Sequence, residues 1–231
     1  GHGAATERVG ALAARHWGGT TRVAAALLDV ARRMPPVLPT AATAAARRVL
    51  GHEAVPAWSR DLPAGGEGRG DAARTGGEAR GGDAAPRDAL GDAGPAPTAA
   101  VYFPSCTGSL FGPAPDGAGV GPAFVELCRR AGVSVAPVPG AARLCCGTPW
   151  RSKGLPRGYD AMREQTLDAL EEATGHGALP VVCDASSCTE GLVQLLESAA
   201  DDPRHGPLRV IDTVEFAATE LLPRLSITQR V

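Results

Sequence analysis

Residues 99–231 predict an α/β fold: a parallel sheet flanked by helices. Two observations carry this. Four short apolar runs read as buried strands: Ala99–Pro104, Val133–Val138, Leu179–Cys183 and Leu208–Ile211. They alternate with segments whose apolar residues recur at helical spacing. Such a β-α-β-α order with short apolar strands implies a parallel sheet covered by helices.

The elements follow in chain order. Over residues 1–63, Ala11, Ala14 and Trp17, then Val23, Ala26, Leu27, Val30 and Met34, recur at helical spacing. Gly18-Gly19 is expected to separate the first helix from the second, and Pro35-Pro36 to end the second. A third helix is expected after Pro39, with Thr40 as its N-cap, to about Leu50. Arg8, Arg15, Arg22, Arg32, Arg33, Arg47 and Arg48 read as a solvated face. So small and alanine-rich a unit needs something larger to dock on. Residues 64–98 are rich in Gly, Ala, Pro and charge and contain one leucine, Leu90. They read as a disordered Gly/Ala-rich linker spanning on the order of 30–35 Å.

In 99–231 the first strand ends near Cys106. A helix over Gly121–Ala131 places Phe124, Leu127, Cys128 and Ala131 on one face. The second strand closes at Pro139-Gly140, and Cys145-Cys146-Gly147 follows in a loop. A long helix over Gly158–Thr174 carries Tyr159, Met162, Thr166, Leu170 and Ala173. The third strand leads into a helix over Ser187–Ala199. After the fourth, Asp212-Thr213-Val214-Glu215 reads as a capping box opening a last helix to about Leu222.

Charge and composition narrow the functions. Formal net charge is −2 and the pI about 6.2, which gives no reason to invoke nucleic acid or an anionic membrane as partner. No run reaches the roughly 18 apolar residues of a transmembrane helix. No signal peptide is visible. The chain begins at Gly1, which leaves it open as a fragment. The expected location is the cytoplasm, free or peripheral at the membrane. There, six cysteines in 231 residues point to metal or redox chemistry more than to a disulfide framework.

Five of the six cysteines follow a Cys-x38-Cys-Cys-x36-Cys-x4-Cys layout: Cys106, Cys145, Cys146, Cys183 and Cys188. Ligands of parallel sheets sit at the carboxyl ends of the strands. Cys106 follows the first strand, Cys145-Cys146 the second and Cys188 the third, so one sheet edge gathers them. Adjacent side chains diverge in regular structure, so Cys145 and Cys146 share a site only from an irregular loop, for which Gly147 supplies the freedom. Cys188 opens a helix whose positive end favours thiolate. Cys183 faces the site or turns from it according to register, and Cys128 reads as a core residue. His176 and His205 read as surface residues. A tetrahedral sulfur site accepts zinc or iron–sulfur. The scarcity of Cys-x2-4-Cys knuckles leans toward iron–sulfur, with a structural zinc module or thiol–disulfide chemistry at Cys145-Cys146 with Cys188 as alternatives.

Phe103-Pro104-Ser105-Cys106, Leu144-Cys145-Cys146-Gly147 and Asp184-Ala185-Ser186-Ser187-Cys188-Thr189-Glu190-Gly191-Leu192 resemble the cysteine-rich CCG domain. That domain occurs in the cysteine-rich components of heterodisulfide reductase and of anaerobic glycerol-3-phosphate dehydrogenase, and in lactate-utilisation and glycolate oxidase iron–sulfur proteins. With Asp212–Phe216 and Leu221–Leu225 downstream, the chain looks most like the C-terminal part of FAD-dependent, cytochrome-linked D-lactate dehydrogenases. Residues 1–62 resemble the helical connector before the domain.

The resemblance implies a cluster, [4Fe-4S] by type, on Cys106, Cys145, Cys146 and Cys188, with Cys183 as a further candidate. It also implies electron transfer from FAD to a quinone or cytochrome. FAD is expected on a partner or a missing region, because no flavin-binding region or Cys-x2-Cys-x2-Cys-x3-Cys-Pro run is present. The chain is thus expected to be not catalytic alone but part of a D-lactate or glycolate oxidoreductase. It also departs from the family: the usual Cys-x2-Cys before the last ligand would need a cysteine at Ala185, and Cys183 stands two residues earlier.

Overall fold

The computed structural model describes residues 3–50, 55, 57–66, 97–114, 116–200, 202 and 204–226. Helices α1 (Ala4–Arg15), α2 (Trp17–Arg33) and α3 (Val37–Leu50) open the chain. The first break falls at His16, and Gly18-Gly19 lie inside α2, contrary to the expected breaker role. The reason is a close approach. A Cβ on Gly18 would lie 2.8 Å from the Ala142 carbonyl oxygen, so the glycine lets α2 touch the main body. Helix α3 starts two residues before Pro39, which fits the first turn of a helix. Thr40 sits inside α3 and its hydroxyl donates to the Pro36 carbonyl at 2.7 Å, so it is not the N-cap.

The expected docking of these helices is present. Helix α1 lies along the long helix described below as α7. The Trp150 indole N–H donates to the Gly10 carbonyl at 2.9 Å in a buried setting. Trp17 meets Trp150 edge-on, with ring centroids 4.8 Å apart.

Of the stretch expected as a linker, 67–96 lies outside the described residues. Its flanks are ordered into the fold. Gly65 bridges Phe111 antiparallel, with Gly66 N–H on the Leu110 carbonyl and Gly112 N–H on the Ala64 carbonyl. Thr98 already belongs to the first strand.

The α/β unit runs β1 (Thr98–Phe103), α4 (Thr107–Leu110), α5 (Val120–Arg130), β2 (Ser134–Pro137), a 3-10 turn (Ala141–Arg143), α6 (Thr148–Arg151), α7 (Pro156–Ala173), β3 (Val181–Cys183), α8 (Ser186–Glu197), β4 (Val210–Asp212) and α9 (Thr213–Phe216). Helix α9 runs on through a π turn (Ala217–Leu221) and a 3-10 turn (Leu222–Arg224). The sheet is parallel in the order β2-β1-β3-β4. Strand alternation splits the core in two. Ala100, Tyr102, Val182 and Ile211 face α5 and the last helix, with Phe124, Cys128, Phe216 and Leu221. Val101, Phe103, Val181 and Cys183 face α7 and α8, with Met162, Leu170, Leu192 and Leu195. Asp212 caps the last helix, accepting from Val214 N–H at 2.9 Å.

Trp150→Phe keeps an aromatic ring and deletes the donor to Gly10. It should lower stability by about 1–3 kcal/mol, since a buried carbonyl loses its partner. Urea unfolding should show a lower midpoint at unchanged slope; an unchanged midpoint would mean the α1 dock does not depend on this bond.

Candidate metal centre

Strand order brings the cysteines together. Strands β1 and β3 are neighbours in register, Phe103 opposite Cys183. The chain reverses its direction of travel across the sheet between them, so the loops after both open onto one crevice. The Asp184 carboxylate spans it. It accepts from the Tyr102 hydroxyl at 2.5 Å and from Ser105 N–H at 2.6 Å. One side chain after β3 thus holds the backbone that presents Cys106 after β1.

The Cys145-Cys146 loop enters from the β2 side. Gly147 sits at φ +81°, in the left-handed region, and a Cβ there would meet the Tyr159 ring at 2.9 Å. The buried Thr166 hydroxyl of α7 donates to the Cys145 carbonyl at 3.0 Å. Below the loop, a Cβ on Gly191 of α8 would lie 2.6 Å from Thr148 Oγ1 and 2.9 Å from Cys146 Cβ. Only glycine allows this approach, and it brings Cys146 against Cys188.

The four sulfurs are neighbours around a ring. Cys106 and Cys145 Sγ are 3.9 Å apart, within hydrogen-bonding reach, and the thiols of Cys145, Cys146 and Cys188 shift one another's titration, Cys106 acting on Cys145 and Cys188. All four cysteines expected as ligands are members. Cys183 lies outside the ring and reaches it through Cys188. Cys128 is on the opposite side of the sheet, in the core with Phe124. Cys145, Cys146, Cys183 and Cys188 are at most 4 % exposed, and Cys106 is half-buried.

Hydrogen bonds from Cys145 and then Cys188 hold the Cys146 thiol well below its usual range, against the opposing effect of burial. Thr148, 3.3 Å from Cys146 Sγ, is a further partner. The neighbours move the other way: Cys145 is pushed up by its bond to Cys106 first and to Cys146 next, and Cys188 by its bonds to Cys106, Cys146 and Cys183.

The donor set, four thiols at one sheet edge, is that of a soft metal or an iron–sulfur cluster. Cys106 and Cys145 lie within hydrogen-bonding reach of each other, however. Among the described residues, no three or more Cys, His, Asp or Glu side chains are arranged to hold a metal ion.

The histidines divide. His176 is 82 % exposed at its side chain, as expected of a surface residue. The His205 side chain is only 5 % exposed, with Nε2 3.1 Å from Asp168 Oδ1, so the ring is tucked in rather than at the surface as expected. Asp168 lies in α7, so His205 packs the chain between α8 and β4 onto that helix.

Tyr102, Thr166 and the clamping role of Asp184 carried no signal in sequence, since each acts across the chain. Gly191 carried one. A glycine inside a helix costs about 1 kcal/mol against alanine, so its presence marks a close approach. No family model matches the chain, and neither a curated protein nor a solved structure matches it.

Asp184→Ala should free the Cys106 loop and speed alkylation of Cys106 in metal-free protein, read by mass spectrometry. Asp184→Asn, which keeps an acceptor for Ser105 N–H, should lie between; equal rates in all three would remove Asp184 from this role. Burial pushes the Cys128 thiol from 9.0 up to about 11. The folded state therefore binds the proton more tightly, and its stability should fall as pH rises from about 9 to about 11. Cys128→Ala should flatten that part of a pH series of unfolding curves.

Proposed function

We propose that the chain is the iron–sulfur electron-transfer portion of a flavin-linked D-2-hydroxyacid oxidoreductase of the CCG-domain type, with D-lactate or glycolate as substrate class. The observation that carries the reading is the gathering of Cys106, Cys145, Cys146 and Cys188 at the carboxyl edge of a parallel sheet, with Cys106 and Cys145 Sγ 3.9 Å apart. These four would hold the cluster, by type [4Fe-4S], and Cys183 stands behind Cys188 as a reserve thiol. When bound, such a cluster accepts and donates single electrons. Dehydrogenation belongs to FAD on a partner or another region, and a quinone or cytochrome is the acceptor.

The chain's own residues set the conditions. Asp184 and Thr166 fix the two loops, which limits the motion of their thiolates. The Cys146 thiol donates to the Thr148 hydroxyl oxygen at 3.3 Å; with a metal bound, the Cys146 thiolate would instead accept from that hydroxyl, which would raise the reduction potential. The near-complete burial of three of the four sulfurs excludes water. That burial also counts against thiol–disulfide exchange, which needs an accessible attacking sulfur.

A structural zinc site is the second reading, and one observation favours it. Zn–S bonds of about 2.3 Å in a tetrahedron put sulfurs roughly 3.8 Å apart. The Cys106–Cys145 separation is 3.9 Å. A cluster with sulfide inside needs the ring to widen.

Anaerobic reconstitution with ferrous iron and sulfide, followed by iron and sulfide assay, tests the proposal. Wild type and Cys128→Ser should retain iron with acid-labile sulfide, while Cys145→Ser and Cys188→Ser should lose most of it. Retention in both loop variants would overturn the ligand set, and tight zinc uptake with no sulfide retained would overturn the cluster.

A further inference from the structure

The first two helices carry a surface that the metal centre does not use. Of the eleven large hydrophobic side chains exposed among the described residues, eight lie on or between α1, α2 and α3. Val23, Leu27, Val30 and Met34 are 60, 62, 44 and 44 % exposed. At about 100° per residue they fall within one narrow arc of α2. The opposite side of α2 holds Gly18 and Ala25, both buried. Val9 and Leu12 on α1, and Val37 and Leu38 at the start of α3, are also exposed. The apolar row therefore points away from the body of the protein.

Charge is sorted in the same direction. Residues 3–50 hold seven arginines and two carboxylates, in a chain whose formal net charge is −2. Both carboxylates turn inward: Glu7 accepts from Arg157 N–H at 3.3 Å and Asp29 from Gly65 N–H at 2.8 Å. Arg8 and Arg15 stand exposed beside Leu12 on α1, and Arg22 and Arg33 are exposed on α2 along one flank of its row. The outward face is thus aliphatic and cationic.

We propose that this face of α1 and α2 seats the protein on an anionic lipid surface, α2 lying flat with its aliphatic row in the interface. Charge complementarity decides the occupant. A second copy would set arginines against arginines across a twofold axis. A protein partner is usually gripped by aromatic anchors, and the row contains only Val, Leu and Met. A lipid surface needs no complementary groove, takes aliphatic side chains to shallow depth and draws arginines to its headgroups. The attachment is peripheral, since no described helix is long and apolar enough to cross a membrane. The 17 residues of α2 make about 25 Å of helix for the contact. This face acts independently of what the cysteines bind, and it supplies the reason to invoke an anionic membrane that net charge alone does not give.

The test is co-sedimentation of the full chain with vesicles of phosphatidylcholine mixed with phosphatidylserine, and of phosphatidylcholine alone. Binding to the mixed vesicles is expected, falling at high salt and weak without phosphatidylserine. Leu27→Glu should weaken it roughly tenfold or more, with circular dichroism unchanged because Leu27 is 62 % exposed. Paired Arg22→Gln and Arg33→Gln should remove most of the salt dependence. No binding to mixed vesicles overturns the proposal, as does Leu27→Glu binding like wild type. A dimer in solution that Leu27→Glu dissolves, without vesicle binding, would assign the face to a second copy; absence of both would leave it to a protein partner.

Discussion

The pairing of β1 with β3 is the constraint on which the rest depends. These strands are not consecutive in sequence, yet they lie side by side with Phe103 opposite Cys183. A parallel sheet opens all its carboxyl ends on one edge, so this adjacency sets Ser105 within reach of the Asp184 carboxylate. Cys106 and Cys188 follow from it directly. They are 82 residues apart in sequence and meet because each stands just beyond a neighbouring strand.

The second strand contributes its sulfurs by a different device. Cys145 and Cys146 come in on an irregular loop that two glycines admit, Gly147 by its positive φ and Gly191 by lacking a Cβ under Cys146. The approach has an electrostatic consequence. Buried thiolates are costly unless charge and hydrogen bonds compensate. Here neighbouring thiols favour the thiolate at Cys146 and disfavour it at Cys145 and Cys188. A bound cation would compensate further thiolates, which is the condition the proposed centre requires.

Much of this is legible in the residues. Apolar runs and helical spacing place the strands and long helices, and the positions of Cys106, Cys145-Cys146 and Cys188 after strands predict one shared edge. Misreadings arise where a long-range contact overrides a local signal. Gly18-Gly19 resembles a breaker, yet Gly18 is there for contact with Ala142, more than 120 residues away in sequence. Residues 64–66 look like linker, yet Gly65 is held by Asp29 of α2 and by the 110–112 segment. His205 sits in a polar loop and reads as exposed, but Asp168 lies across from it on α7. Register decides Cys183: its side chain falls on the α7–α8 side of the sheet, next to Cys188.

In the proposed centre four thiolates share one metal site with no other type of ligand. X-ray absorption at the metal edge, on protein isolated without oxygen, tests it most directly. A ring of four cysteines predicts a first shell of sulfur alone at about 2.3 Å. A shell containing nitrogen or oxygen, or protein that retains no metal, would contradict it.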